Sequence, residues 1–295
     1  MMGWLGRREA VKATPAEATG IVLDLSGPRL RHAFENLNAS AEATGGVSRY
    51  VTALALKSAL FQELLGDGAV RDLSQTGFLD LAAFIAPVRR RIAGALAEEG
   101  FDRIKLALIS LLESPGSADD RIAVFCAAFM QDKAHRWVRD LAAEVLHFTA
   151  PETLPLMARW VWDERVGTGV LREIWHADDV DRVQITVGDR QATFDTLTAE
   201  LRGFLAGEGV YRDLPFAVDL LLAHIYAGYI NDRGGQYLRS DFTSDLDPMH
   251  HTRRMLGLDA VDTETGRTRL RLIDGKPHVL SGLPDPDFEV TNAHS

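Results

Sequence analysis

The sequence is poor in cysteine, with Cys126 as the single example among 295 residues. One cysteine cannot form a disulfide within the chain, and it cannot build a zinc site from several thiolates. Cys126 lies in the apolar run IAVFCAAF, where a thiol is usually a small core side chain rather than a nucleophile. The cysteine content therefore excludes an internal disulfide framework and favours a packing role for Cys126.

Positive charge is also scarce. The chain has 32 Lys and Arg residues against 42 Asp and Glu residues, which gives a formal net charge of −10 and a pI near 5.4. General nucleic-acid binding and attachment to an anionic membrane surface both require a basic face. The charge balance therefore argues against a nucleic-acid partner and against a membrane partner.

The sequence has no long hydrophobic segment. Residues 1–19 lack the apolar stretch of a signal peptide, and we expect them to be flexible. The most apolar run, Phe216–Ile230, is about 15 residues long, whereas a membrane-spanning helix needs about 20. The sequence therefore predicts a cytoplasmic protein without a membrane span.

Several motifs that identify enzymes are missing. There is no Walker A loop, no G-x-G-x-x-G after a strand, no G-x-S-x-G elbow, no His-Glu-x-x-His and no EF-hand loop. Function must therefore be argued from weaker patterns.

The run from Phe216 to Ile230 is the strongest positive signal. It is apolar on all sides of a helix, which is typical of a buried core helix rather than an amphipathic one. Asp219 and His224 interrupt it, and a buried carboxylate needs a partner, for which an Arg from another helix is a candidate. Because the two residues lie about 140° apart around a helix, we expect two separate buried polar groups rather than one joint site.

The remaining pattern predicts a mainly α protein, a multi-helix, bundle-like single domain with one or two small β-hairpins. Helical spacing recurs along the chain, Pro87 should kink or split the helix at residues 80–97, and the longest helix should run from Ser117 to about Phe148. Alternation and turn residues place hairpins near residues 183–194 and 268–280. We expect the helical domain to cover residues 20–283 and a tail to cover residues 284–295.

Two Glu-x-x-His motifs could contribute metal ligands. Glu144 with His147, and Glu173 with His176, each lie on one face of a helix, as do the ligands of carboxylate-bridged di-iron sites in helical bundles. The chain between the motifs is too short and too interrupted to hold the further helix of such a bundle. Solvated or locally paired side chains are therefore the alternative to an iron or manganese site.

A polar loop follows the apolar helix, and packing alone does not explain its side chains. Asp245, Asp247 and His250 could supply oxygen and imidazole ligands to iron or manganese, although an ordinary surface loop has the same composition. Other side chains of this region could contact an anionic or planar ligand or partner through charge and stacking. They are Tyr229, Arg233, Tyr237, Arg239, His251, Arg253 and Arg254.

Two further patterns suggest contact with a partner. The run Arg89–Arg91 follows Pro87 and is either a solvated helix face or a contact for an anion or an acidic partner. Trp160 and Trp162 are two residues apart, so they point to different sides of a helix. Core packing among adjacent helices is the favoured interpretation of these side chains, and the alternative is that one of the two is exposed, which would suit an interface.

Two functions of different classes remain. The first is a non-enzymatic adaptor, assembly factor or regulator that acts through protein–protein contacts. The second is a metal-dependent helical enzyme or metal-binding protein that uses Glu, Asp and His ligands. The sequence does not determine the oligomeric state or identify a cofactor.

Overall fold

The computed structural model of the chain describes residues 20–234, 247–262 and 264–281, without the side chains of residues 181 and 232–234. These residues form a mainly α single domain with one small β-hairpin, as the sequence predicted. The predicted N-terminal segment 1–19 and tail 284–295 lie outside the described residues. The α-helices are α1 Gly27–Glu42, α2 Val47–Leu65, α3 Gln75–Ala83, α4 Ile92–Glu99, α5 Phe101–Glu113, α6 Ala118–Ala127, α7 Trp137–Thr149, α8 Val170–Glu173, α9 Gln191–Gly207, α10 Leu214–Gly234 and α11 His250–Met255.

Local capping chemistry sets several helix ends. Ser117 and Asp120 form a reciprocal capping box at the start of α6, which satisfies backbone N–H groups that a first turn leaves unpaired. The predicted interruption at Pro87 is confirmed, because α3 ends at Ala83 and α4 begins at Ile92. The predicted single helix from Ser117 to Phe148 is wrong, since residues 128–136 separate α6 from α7.

The hairpin predicted near residues 268–280 is confirmed. Strand β1, Arg267–Arg271, pairs antiparallel with β2, Pro277–Val279. The turn between them contains Asp274 and Gly275, and Gly275 has a φ of 81°, a conformation that a residue with a side chain rarely adopts.

The hairpin predicted near residues 183–194 is wrong. Residues 183–187 belong to no helix or strand, although Ile185 is buried between exposed neighbours. Residues 191–194 are instead the first turn of α9. The backbone N–H of Gln191 donates to the Asp119 carboxylate, and the Gln191 amide oxygen accepts from the backbone N–H of Ala118. These two contacts cap α6 and α9 together, and this long-range satisfaction of backbone groups overrides the local strand pattern.

Helix α10 is the predicted core helix, and it packs against α1, α2, α8, α9 and α11. At 21 residues it is longer than the sequence suggested, and by length and composition it could cross a membrane. Within its 18-residue window from Leu214 to Asn231, 61% is buried inside the protein. The surrounding helices provide the apolar contacts that its composition requires.

Helix α7 is buried on nearly every side, because it packs against α2, α5 and α6. Solvated side chains were one of the alternatives that the sequence left for Glu144 and His147. Both side chains are instead buried, so α7 carries ionisable groups into the core, where each needs a partner.

Candidate functional site: an arginine–aromatic cleft

Glu144 is the first of the predicted metal ligands, and its partner is a lysine. Its Oε2 lies 2.6 Å from Nζ of Lys57 on α2, and both side chains are almost completely buried. The Lys57 ammonium also donates to the carbonyl oxygens of Phe84 and Leu256, at 3.1 and 3.0 Å, and lies 3.9 Å from the centre of the Phe148 ring. Three acceptors match the three N–H groups of a charged ammonium.

Burial disfavours the charged forms of Lys57 and Glu144, whereas their mutual attraction favours them. Burial lowers the pKa of Lys57 and raises the pKa of Glu144, while the attraction between the two opposes both shifts. The geometry around Nζ supports the charged pair. Gly257 makes this geometry possible: its φ is 72°, and a Cβ there would lie 1.7 Å from the Phe84 carbonyl oxygen. A glycine therefore lets the end of α11 approach Phe84 closely enough for both carbonyls to reach Lys57.

His147 is bonded through both ring nitrogens. Its Nε2 lies 2.7 Å from Oδ2 of Asp219, and its Nδ1 lies 2.7 Å from the Leu154 carbonyl oxygen. Because a carbonyl and an ionised carboxylate only accept hydrogen bonds, both nitrogens donate and the ring is an imidazolium. Burial disfavours that charge, but the Asp219 carboxylate and the two hydrogen bonds outweigh it, so the pKa of His147 is raised.

Asp219 therefore has a buried partner, a histidine rather than the arginine that we considered. His224 faces elsewhere, as expected, with Nδ1 3.1 Å from the Thr252 hydroxyl. Burial lowers the pKa of His224 to about 4, so this ring is neutral near pH 7. The two polar groups of α10 are separate core contacts.

The described residues bring together no group of three or more His, Cys, Asp or Glu side chains that could hold a metal ion. Asp247 accepts from the Met249 backbone and pairs with Arg253, while the ring of His250 contacts that of His251. Asp245 lies outside the described residues. The predicted metal ligands Glu144, His147, Asp245, Asp247 and His250 are thus not shown to converge, and the metal site stays a prediction.

The residues predicted to bind a ligand or partner are only partly described. Arg254 lies in a surface cleft, whereas Arg253 turns to Asp247. Burial lowers the pKa of His251, with His250 and Arg254 acting in the same direction. Tyr229 stacks at 5.8 Å on Tyr226. The side chain of Arg233, and all of Tyr237 and Arg239, lie outside the described residues.

The cleft that contains Arg254 has a volume of about 520 Å³, and we call it the arginine–aromatic cleft. It lies between α7, α10, α11 and the segments 86–90 and 159–168. Five of its residues are arginines and two are aspartates. Its lining comprises Ala86, Pro87, Arg89, Arg90, Arg136, Asp140, Arg159, Trp160, Asp163, Val166, Thr168, Tyr226, Arg254 and Met255.

Three arginines of the cleft pair with carboxylates, and the longest of these pairs joins Arg136 to Asp163 at 4.0 Å. Arg89 forms two hydrogen bonds to Asp259, at 2.9 and 3.1 Å, and this pair is buried. Arg159 forms two to Asp140, at 3.1 and 2.6 Å. Such bidentate pairs fix the guanidinium plane.

Two other arginines of the cleft, Arg90 and Arg254, form no ion pair within 4 Å to any residue that the structure describes. Burial and the positive charges of Arg90 and Arg89 lower the pKa of Arg254, with Asp259 opposing them. The cleft therefore concentrates positive charge in an acidic chain, a condition that favours an anion.

Aromatic side chains form one wall of the cleft. Trp160 lies 5.9 Å from Tyr226, which in turn lies 5.8 Å from Tyr229. Trp162 is fully buried, whereas Trp160 packs against the core and is only partly buried, so part of the Trp160 ring remains accessible. Partly exposed rings beside guanidinium groups can take a flat or apolar group.

A larger groove of about 910 Å³ continues from the cleft and shares Arg136, Arg159 and Asp163 with it. Cys126 lines this groove, and burial raises the pKa of its thiol, which disfavours the reactive thiolate. A third cavity, of about 150 Å³, lies beside His147 and Asp219. That volume is below the roughly 300–1,000 Å³ typical of small-molecule sites, so the cleft is the better candidate.

Sequence reasoning found Arg254, Tyr229 and the Arg89–Arg91 run, but it missed Lys57, Arg136, Arg159 and Tyr226. An isolated lysine in the apolar run LALKSAL is the one signal that could have indicated Lys57. Comparison of the chain with protein-family models, curated proteins and solved structures gives no match.

Proposed function

We propose that the protein is a non-enzymatic adaptor, assembly factor or regulator, and that the arginine–aromatic cleft is the surface through which it binds a partner protein. The observation that supports this proposal is the set of side chains that line the cleft. Trp160, Tyr226, Arg90 and Arg254 line one cleft, and Trp, Tyr and Arg are the residues that contribute most often to the binding energy of protein interfaces.

The neighbouring groove supports a macromolecular partner over a small ligand. The cleft and the groove share three residues, so together they form one elongated surface. Val166, at 57% exposure, and Met130, at 61%, add apolar area to it. Exposed apolar area beside polar side chains is typical of interaction sites. The alternative of a metal-dependent enzyme gains no such support, because the described residues supply no convergent ligand set.

Site-specific photocrosslinking in the native host cell tests the proposal. A photoreactive amino acid replaces Val166 in the cleft, and in a control chain it replaces Leu106, which is 67% exposed on α5 and lines neither the cleft nor the groove. We expect one discrete protein adduct from position 166, identifiable by mass spectrometry, and none of the same mass from position 106. The adduct should disappear when Trp160→Ala is added. Equal adducts from both positions, or an adduct indifferent to Trp160→Ala, would contradict the proposal.

A further inference from the structure

We infer that the partner presents an extended acidic segment, whose carboxylates pair with Arg90 and Arg254 of the cleft and whose apolar or aromatic side chain packs on Trp160 and Tyr226. This inference rests on the proposed function and specifies the chemistry of the partner.

The charge of the cleft is opposite in sign to that of the whole chain. The chain carries a net charge of −10, yet five arginines and only two aspartates line the cleft. The two aspartates are also engaged: Asp140 binds Arg159, and Asp163 accepts from the backbone N–H of Val166. The carboxylates of the cleft therefore do not neutralise Arg90 and Arg254.

Arg254 lies close to other positive charges in the cleft. Its pKa is lowered by burial and by the charges of Arg90 and Arg89, so the folded chain holds this cation against repulsion. A carboxylate placed between Arg90 and Arg254 would remove the repulsion and form charge-assisted hydrogen bonds. Arginine is well suited to this role because its guanidinium fork matches a carboxylate.

The distribution of cations along the groove indicates the shape of the ligand. Further cations continue along the groove: Lys133 and Arg165 are exposed and form no ion pair with a described residue. Most carboxylates of the groove are engaged, because Asp189 pairs with Arg139 and Asp132 bonds His135. Asp119 caps α9, and the exposed Glu164 is a carboxylate of the groove that forms no ion pair with a described residue. Cations spread along an elongated surface fit a series of carboxylates on an extended chain better than one compact anion.

The aromatic wall of the cleft provides a surface for an apolar side chain. Trp160 and Tyr226 are only partly buried and lie beside the cationic side chains. An apolar side chain that covers them would also exclude water from the ion pairs, which strengthens each pair. The favoured segment therefore alternates acidic residues with an apolar or aromatic one.

Fluorescence anisotropy with the full chain tests this inference. The probe is a fluorescein-labelled peptide in which Glu alternates with Leu and one Phe, and the matched peptide has Gln in place of every Glu. We expect the Glu peptide to bind at least about tenfold more tightly than the Gln peptide, which corresponds to about 1.4 kcal/mol. Its affinity should fall as salt is raised, because exposed ion pairs are screened.

Variants of the arginines localise the effect. Arg90→Gln and Arg254→Gln should each weaken binding of the Glu peptide about tenfold, and Arg254→Lys should weaken it less. Arg91→Gln is the matched control, because Arg91 is the exposed neighbour of Arg90 but does not line the cleft. It removes the same charge from the chain and should leave the affinity unchanged.

Three results would overturn the inference. The Gln peptide could bind as tightly as the Glu peptide, or Arg91→Gln could weaken binding as much as Arg254→Gln. Inorganic phosphate or adenosine monophosphate could bind at the cleft and be weakened by Arg254→Gln while the Glu peptide fails to bind, which would indicate a small-molecule anion site. If the cleft-dependent photoadduct persists while the Glu peptide neither binds nor competes, only the acidic chemistry fails and the proposed function stands. If the photoadduct at position 166 does not depend on Trp160, the proposed function itself fails.

Discussion

The buried charges on α2, α7 and α10 differ from the charges of the arginine–aromatic cleft in how they are satisfied. In the core, Lys57 has three acceptors around Nζ, and each nitrogen of His147 has one. In the cleft, Arg90 and Arg254 form no ion pair with a described residue. Among the described residues, every buried charge of the core has its partners, whereas Arg90 and Arg254 of the cleft have no carboxylate partner.

This difference separates two roles of an ionisable group. A charge removed from water is tolerated only when partners replace the lost hydration, so we assign a structural role to the core pairs. A charge held near like charges at an accessible surface weakens the fold and is explained more readily by binding. Perturbed pKa values occur in both places, so the partners of a group distinguish the roles better than its pKa does.

The largest expected effect comes from breaking the core pair. Lys57→Ala leaves the Glu144 carboxylate buried without its cation and two carbonyls without their donor. We expect the free energy of unfolding, measured by urea denaturation, to fall by about 3–5 kcal/mol. The double variant Lys57→Met with Glu144→Leu removes both charges and should recover most of that loss. A double variant as unstable as the single one would show that the pair itself, and not the uncompensated carboxylate, stabilises the fold.

A second prediction concerns pH. The raised pKa of His147 means that the folded state holds its proton above the ordinary value of 6.5. Its contribution to stability is therefore fully present below pH 6.5 and is lost as the pH rises through the folded pKa, with a slope of at most about 1.4 kcal/mol per pH unit. Urea denaturation across this range should show the decline.

The variant His147→Gln with Asp219→Asn removes both titrating groups of this pair and keeps polar side chains in place. It should lack the part of the decline that belongs to His147, while Lys57 and Glu144 still titrate in both proteins. An identical pH dependence in the two proteins would contradict the assignment of an imidazolium to His147.

A smaller effect of opposite sign is expected in the cleft. Arg254→Gln removes a charge that its neighbours repel, so we expect the free energy of unfolding to rise by a few tenths of a kcal/mol, within the usual range of surface substitutions. The adjacent Arg253 pairs with Asp247, and Arg253→Gln should lower stability by up to about 1 kcal/mol. Two neighbouring arginines would thus respond in opposite directions in the same denaturation experiment. If both variants were destabilised equally, Arg254 would be a structural residue.

Much of the fold was predictable because local signals determine it. The apolar run of α10, the interruption around Pro87 and the Asp274–Gly275 turn all follow from short-range chemistry. The failures arose where distant contacts decide the structure. Residues 191–194 begin a helix because Asp119, far away in the sequence, caps it, and no local pattern carries that information.

The candidate site shows the same division. Arg254 and Tyr229 could be selected from residue type and position, and the different surroundings of Trp160 and Trp162 follow from their spacing. The state of each charge could not, because Lys57 meets a glutamate 87 positions away and Arg89 meets an aspartate 170 positions away. Of two adjacent arginines, only the fold determines that Arg253 pairs with Asp247 while Arg254 has no ion pair among the residues that the structure describes.

Gly257 gives this core a signature by which diverged relatives could be recognised. Any side chain at that position would collide with the Phe84 carbonyl and displace an acceptor of Lys57. A relative that keeps the lysine of α2 and the glutamate of α7 should therefore keep the glycine after α11, and one that loses the glycine should lose the charged pair with it. Joint variation of three positions so far apart in the chain would mark common descent even where overall sequence similarity has disappeared.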